Sequence, residues 1–467
     1  QGAGGKMRVA FLTTIGQVLD ATGGTLLRGS PERVIRTIST DSRDLGEDNL
    51  FIPIVGERFD GHRFVGSLVE AGKIACFLTM REELRDLAGA SDTGVILCDD
   101  TVRAYGRLAG FHRDRLDPVV VAVTGTNGKT TTKELIAGVI GQEHECLKNE
   151  KNLNNEIGIP YTLLHLAERH RIAVLELGMN HPGEIERLSR ITKPDVALIT
   201  NIGAGHLEFL GSIENVASAK AEIMLGMEAG VIFLNRDTPS FELLRAKAAE
   251  GGLSVKSFGL HESADIAPES YQLLRDAVMI DFRGSRFRVP LYGIHNIYNG
   301  IAAIAVGLHF DINPEKIQEA FQRFVNVGMR SQIVENDVTI INDTYNSNPL
   351  SSHYALVSAA QVFPAQRKIA VLSDMKELGE LAAFYHDELG REVFQHGFDL
   401  LYSWGELSEE IARGARDAGM RDDTVFYFRE KRELIDALKA QIVTGDVVLV
   451  KGSRSMKMEE VVEALVH

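Results

Sequence analysis

Short, unbroken apolar runs alternate along the chain with stretches whose apolar positions recur at helical spacing, the pattern of α/β architecture built on parallel sheet. Val119–Val123 predicts a central strand, and Lys133–Ile140 continues as a helix beyond a Gly-rich turn. Ile172–Leu177 and Val196–Thr200 predict two further strands, and Ser212–Met227 an amphipathic stretch. His295 opens a helix of small apolar residues. Val338–Ile341, Ile369–Leu372 and Val447–Val450 predict the strands of a separate later unit. The pattern divides the chain into three segments, 7–117, 118–327 and 328–467.

At 467 residues the chain exceeds one hydrophobic core, so several domains are expected. Its composition, 44% hydrophobic and 25% charged, is that of a globular protein, and no run approaches the roughly 20 apolar residues of a membrane span. Gln1–Lys6 reads as foreign sequence ahead of Met7 and is left out of the fold reading. Nothing after Met7 resembles a signal peptide, so a cytoplasmic location is expected. Cys76, Cys98 and Cys146 are odd in number and lack CxxC spacing, against a disulfide framework or structural zinc. The formal charge of -15 argues against a general nucleic-acid binder, while leaving room for a locally basic phosphate pocket.

The strongest chemical signal is Thr124-Gly-Thr-Asn-Gly-Lys-Thr-Thr-Thr132, lying between strand and helix. Gly125 and Gly128 let the amides of Thr126, Asn127 and their neighbours turn inward, and the helix N-terminus adds partial positive charge. Lys129 could then reach the β/γ-phosphates of ATP, with the Thr130 hydroxyl as a Mg²⁺ ligand and Thr131 beside it. The spacing is shorter than the common Gly-rich phosphate loop, because position 123 is Val. Glu176 and His206 follow neighbouring strands, and ligands in open α/β sheets gather at such strand ends. Glu176 and Thr130 are the natural first pair for a hard cation, with His206 a candidate beside them. Lys220, taken alone, reads as a solvated helix residue. Asn154 and Asn155 belong to a loop rich in amides. His295, Asn296 and Asn299 open their helix, where amides could read a base edge or Asn296 could cap.

These motifs in this order resemble the Mur ligases of peptidoglycan synthesis. They are Thr124–Thr132, Asn154-Asn-Glu-Ile-Gly-Ile-Pro160, Glu176-Leu-Gly-Met-Asn180, Asn201-Ile-Gly-x-x-His206, Ala219-Lys220, His295-Asn-x-x-Asn299, Arg330 and Asp343-Thr-Tyr-Asn-Ser-Asn-Pro349. Leu153–Pro160, Leu372–Gly379 and Lys451-Gly-Ser-Arg-Ser-Met456 favour the member that adds D-alanyl-D-alanine. The resemblance implies an N-terminal domain for the UDP-sugar nucleotide, a central ATP-binding parallel-sheet domain and a C-terminal Rossmann-like domain for D-alanyl-D-alanine. It implies ATP-dependent joining of UDP-N-acetylmuramoyl-tripeptide to that dipeptide through an acyl phosphate, by a monomer. Thr130, Glu176, His206 and Lys220 would hold Mg²⁺, two ions in all, with Lys220 carbamylated to become an oxygen ligand. His295, Asn296, Asn299, Arg330 and Asp343 would contact ATP. Ser42 and Arg43, with the companion Asp60-Gly-His62, would take the uridine nucleotide. Asn154, Asn155, Asn346 and Asn348 would contact the other substrates, with Asp374 and Lys451–Arg454 nearby. The alternatives are a ligase adding diaminopimelate or lysine to a dipeptide precursor, although its Asp-Asn-Pro-Arg signature is absent, and a plain nucleotide-gated ATPase.

Overall fold

The computed structural model describes residues 8–56, 59–88, 92–326 and 328–466. Residues 1–7, position 327 and His467 lie outside the described residues, and with them the foreign-looking N-terminal stretch and the expected end of the second segment. Three six-stranded sheets succeed one another along the chain, each the centre of an α/β unit.

The middle sheet runs Cys146–Lys148, Ile172–Glu176, Val119–Thr124, Val196–Ile199, Val231–Asn235 and Ser254–Phe258, parallel throughout. Val120–Thr124 and Ile172–Glu176 are buried at every position, which explains why both read as unbroken apolar runs. Helix Lys129–Ile140 covers one face together with His295–His309, over a core that includes Val121, Val123, Ile136, Ile297 and Ile301. Alternate residues of the same strands, Val120, Ala122, Ala173 and Leu175, enter the core on the opposite face. Ile172–Glu176 and Val196–Ile199 flank Val119–Thr124 directly, so the phosphate-type loop, Glu176 and the segment leading to His206 leave from neighbouring carboxyl ends.

The first unit has its sheet in the order Arg8–Thr14, Val34–Ser39, Asn49–Phe51, Cys76–Thr79, Gly94–Leu97, Thr25–Arg28, with antiparallel strands at both edges. The last has Gln332–Glu335, Thr339–Asp343, Val447–Lys451, Lys368–Ser373, Leu400–Trp404 and Val425–Phe428, parallel except at its first edge. A three-stranded antiparallel sheet, Ser270–Leu273, Val278–Phe282 and Ser285–Val289, is appended to the middle unit. Its second hairpin turns on Arg283 and Gly284, both at positive φ (49° and 75°), as a two-residue turn requires. Cys76 and Cys98 are buried and Cys146 partly so, all three free. Among the described residues no helix is long and apolar enough to cross a membrane.

Helices Ala382–Gln395 and Ser408–Ala418 approach until backbone meets backbone. A Cβ at Gly390 would stand 2.0 Å from the Ile411 carbonyl oxygen, and one at Gly414 2.0 Å from that of Asp387. Gly390→Ala should therefore force the helices apart and lower stability by about 1–3 kcal/mol in urea unfolding. An unchanged unfolding midpoint would contradict this packing.

Candidate active site

The loop after Val119–Thr124 is held from both sides. Gly125 has φ 143°, and a Cβ there would stand 2.0 Å from Thr200 Oγ1. Gly128, at φ 79°, is the N-cap of helix Lys129–Ile140, and its α-carbon faces the Asn299 amide, which a Cβ would meet at 2.5 Å. Thr200 Oγ1 donates to the Asn127 carbonyl (2.5 Å), and Asn201 Nδ2 donates to the same oxygen (3.1 Å) while its Oδ1 accepts from Asn127 N (2.9 Å). Thr126 Oγ1 accepts from Gly203 N (3.1 Å). The Lys129 ammonium lies across the loop, donating to the carbonyls of Gly125 (2.9 Å) and Thr126 (3.1 Å). Burial lowers its pKa, opposed by the Glu176 charge.

Beside the loop lies a buried acid and a buried base. Glu176 is 2% exposed; its Oε1 accepts from Asn154 Nδ2 (2.7 Å), and its Oε2 has no partner. Lys220 lies on helix Ile213–Ala221, capped by Ser212, and is fully buried with its Nζ unpartnered. The expectation of a solvated lysine fails here, because its helix face, shared with Val216 and Ala217, packs inward, and Ala219 and Ala221 on either side of it are buried too. Burial pushes the Lys220 ammonium well below the ordinary lysine range; the Lys129 charge pushes the same way, and Glu176, Glu222 and Glu184 oppose. Thr130 is also buried. His206 has φ 57° and precedes the short helix Leu207–Leu210; its Nδ1 lies 2.7 Å from Glu377 Oε2.

The last unit reaches the loop at several points. Asn127 and Asn348 exchange amide hydrogen bonds, Asn127 Nδ2 to Asn348 Oδ1 (3.1 Å) and Asn348 Nδ2 to Asn127 Oδ1 (2.7 Å). Asn348 Oδ1 also caps helix Pro349–Val362 at Ser351 N. Asn348, Asn346, Arg330, Asp343, His295 and Asn299 all line one narrow cavity of about 110 Å³ with Gly128 and Thr131. Asp343 is paired with Lys451 Nζ and accepts from Ser331 N (2.9 Å). Arg330 lies 3.9 Å over the Tyr345 ring. Asn296 does not cap its helix: its Nδ2 donates to Tyr292 O (2.8 Å), and its Oδ1 accepts from Asn299 Nδ2 (2.8 Å). Asn299 Oδ1 accepts in turn from Thr132 Oγ1 (3.0 Å), so this pair braces the loop from behind.

Other predicted residues stand elsewhere. Ser42 and Arg43 line a separate cavity of about 590 Å³ in the first unit, with Arg8, Arg33 and Lys73. Arg43 is engaged by Asp41, Nη2 to Oδ2 2.8 Å. In the Asp60-Gly-His62 turn Asp60 Oδ1 accepts from His62 N (2.9 Å), and the turn is tied outward by Met80 N donating to His62 Nε2 (3.3 Å) and by the Arg81–Asp60 ion pair. Asn155 Oδ1 accepts from Gly158 N (2.9 Å) at the start of helix Gly158–Leu163. Asp374 is fully buried, accepting from Ser408 Oγ (2.8 Å) and Lys376 Nζ (2.9 Å). Arg454 pairs with Glu459.

Sequence reasoning passed over Asn149, which clamps Glu176 through both backbone groups, N to Oδ1 at 2.8 Å and Nδ2 to O at 3.2 Å. Lys133, fully buried, donates to the Asn149 carbonyl (2.5 Å). Glu377 and Tyr354, whose ring stacks near His295 at 6.5 Å and 27°, were also missed. Asn149 stands in a polar stretch with nothing to mark it; Glu377 lies inside the quoted Leu372–Gly379 motif.

A helix-opening phosphate-type loop beside a buried carboxylate and a buried, unpartnered lysine defines a nucleotide-handling enzyme of the α/β class. Residues 34–111 match the Mur ligase family catalytic domain, 123–307 the Mur ligase middle domain, and 329–454 the Mur ligase glutamate ligase domain. The UDP-N-acetylmuramoyl-tripeptide–D-alanyl-D-alanine ligase of Bacillus subtilis is 38% identical over 460 residues, 97% of this chain and 98% of its own. The Escherichia coli enzyme of the same name is 34% identical over 97% of this chain and 98% of its own. A crystal structure of MurF from Acinetobacter baumannii superposes with TM-score 0.88 at 29% identity, covering 98% of this chain and 99% of that one. MurF ligase from Thermotoga maritima, in complex with ADP, gives 0.79 at 26% identity over 91% and 96%. The chain belongs to the Mur ligase family.

His295 supplies a pH test of this geometry. Burial pulls its pKa from 6.5 down to about 4. A folded pKa below the unfolded one makes the neutral ring's contribution complete above about 6.5 and lost as pH falls through about 4. Wild-type protein should lose more unfolding free energy than His295→Gln across that window. Parallel stability curves would contradict a buried neutral ring.

Proposed function

We propose that the protein is an ATP-dependent ligase joining the terminal carboxylate of UDP-N-acetylmuramoyl-tripeptide to the amine of D-alanyl-D-alanine, with release of ADP and phosphate. The observation that carries the chemistry is the unpartnered, fully buried Lys220 amine in electrostatic reach of Glu176 and Lys129. The full-length similarity to ligases of that name carries the substrates.

A carboxylate resists attack by an amine, so it is first activated: its oxygen takes the γ-phosphoryl group of ATP, giving an acyl phosphate and ADP. The amine nitrogen then bonds to the acyl carbon, phosphate leaves with the electron pair, and the amine's proton is lost. Positioning and charge neutralisation dominate such a transfer. The loop amides and Lys129 would bind the β/γ-phosphates, and its present bonds to Gly125 and Thr126 keep the ammonium at the loop. His295, with Tyr354 stacked near it, would flank the base, and Arg330 and Asp343 would complete the nucleotide site; Asn296 and Asn299 act through bracing the loop.

The orphan Glu176 Oε2 and the orphan Lys220 Nζ fit a cation site, since both are buried polar atoms lacking partners. Thr130 and Glu176 would hold one Mg²⁺, His206 and Lys220 a second, and bound there the ions would neutralise phosphate charge. An amine suits that role after adding to CO₂: nitrogen bonds to carbon, one proton leaves, and a carbamate oxygen becomes the ligand. Asn154 orients Glu176 for its part.

The first unit, 7–117, would take the uridine nucleotide, with Ser42, Arg43 and the neighbouring Arg8, Arg33 and Lys73 facing its diphosphate. The middle unit, 118–327, would hold ATP, and the last, 328–467, would present D-alanyl-D-alanine near Asn346 and Asn348. The protein would act as a monomer. A cytoplasmic site of action accords with its soluble nucleotide substrates.

The decisive assay offers ATP, UDP-N-acetylmuramoyl-tripeptide and D-alanyl-D-alanine and measures ADP and peptide product together. Phosphate release independent of the muramoyl peptide would favour a plain ATPase; product only with diaminopimelate or lysine on the dipeptide precursor would favour the other ligase. Lys220→Ala should lower ligation on the order of 10²-fold or more, and removing CO₂ should slow the wild type. Full activity of Lys220→Ala would overturn the carbamate assignment.

A further inference from the structure

A second constellation lies away from the phosphate loop. Helices Pro349–Val362 and Ala382–Gln395 pack together in the last unit. Glu392 lies in the final turn of the second helix and His396 is its C-cap, four positions on, so both point from one face. His353 approaches from the first helix. Its Nδ1 stands 3.2 Å from Glu392 Oε1, and its ring centroid 5.8 Å from that of His396. The ligand atoms of all three lie within 4.8 Å of one another.

Two ligands each about 2.0–2.1 Å from a tetrahedral ion stand about 3.3–3.4 Å apart. The His353–Glu392 spacing already matches one edge of such a tetrahedron. The remaining edges need only side-chain rotation, and the His353 and Glu392 side chains are 41% and 29% exposed, free enough to make it. Two imidazoles and one carboxylate suit zinc and its neighbours, whereas Mg²⁺ prefers oxygen alone.

His353 and Glu392 also line a cavity of about 430 Å³ with Leu389, Phe384, Ile202 and Asp237, between these helices and the middle unit. We propose that His353, Glu392 and His396 bind a divalent transition-metal ion of the zinc class, with its fourth position open to this cavity. The contact between His353 and Glu392 strengthens the imidazole's hold on its proton, which the ion displaces. Burial favours the unprotonated form of His396.

The test is a Co²⁺ titration of the full chain, in excess Mg²⁺ and without nucleotide, followed by visible absorption. One equivalent should give the intense bands of a low-coordinate cobalt site, removed by Zn²⁺. His396→Ala and Glu392→Gln should each weaken binding by about tenfold or more, while Lys220→Ala keeps the spectrum. Glu392→Gln preserves shape, and circular dichroism of each variant separates lost ligation from lost fold. No saturable band in the wild type, an unchanged band in both ligand variants, or its loss in Lys220→Ala would overturn the proposal.

Discussion

A buried carboxylate oxygen and a buried amine, neither with a partner, are the constraint on which the middle of this protein depends. Leaving Glu176 Oε2 and Lys220 Nζ unsatisfied costs folding free energy. The surroundings supply what offsets it. Glu176 ends a strand buried on both faces, its backbone is bonded twice by Asn149, and its other oxygen is held by Asn154. Lys220 rides a helix whose small residues let it pack closely. Glu176 is therefore fixed by hydrogen bonds, and the Lys220 amine is confined by packing alone.

Position in the sheet does much of the remaining work. Parallel strands end on one side, and three adjacent ones deliver the phosphate-type loop, Glu176 and the segment carrying His206 to that side. The neighbours of Val119–Thr124 are not its neighbours in sequence, so the convergence follows from crossover topology. The last unit then closes over the loop with Asn348 and touches His206 with Glu377.

Much of this was legible in the residues. The central strand, its Gly-rich loop, the flanking strands and those of the last unit follow from unbroken apolar runs, because parallel strands are covered on both faces. Lys220 was misread when taken alone: helical spacing says which residues share a face, and here the face carrying the lysine turned out to be buried. Asn149 left no trace, since its importance comes from backbone atoms of Glu176 that are distant in sequence. The appended antiparallel sheet is not among the predicted strands, although Ser285–Val289 alternates polar and apolar positions as a half-buried strand does. For the site, motif order pointed to the family, but which amides are free and which are committed, as with Asn296 and Asn299, is decided by tertiary neighbours that spacing does not reveal.

The reciprocal amide pair of Asn127 and Asn348 has a mechanical consequence. Its two hydrogen bonds are neutral and antiparallel, so they hold only in one relative orientation of loop and helix. On separation, water can replace both at small net cost. Such a pair acts as a keyway: it adds little holding force, yet it fixes the angle at which the last unit meets the loop.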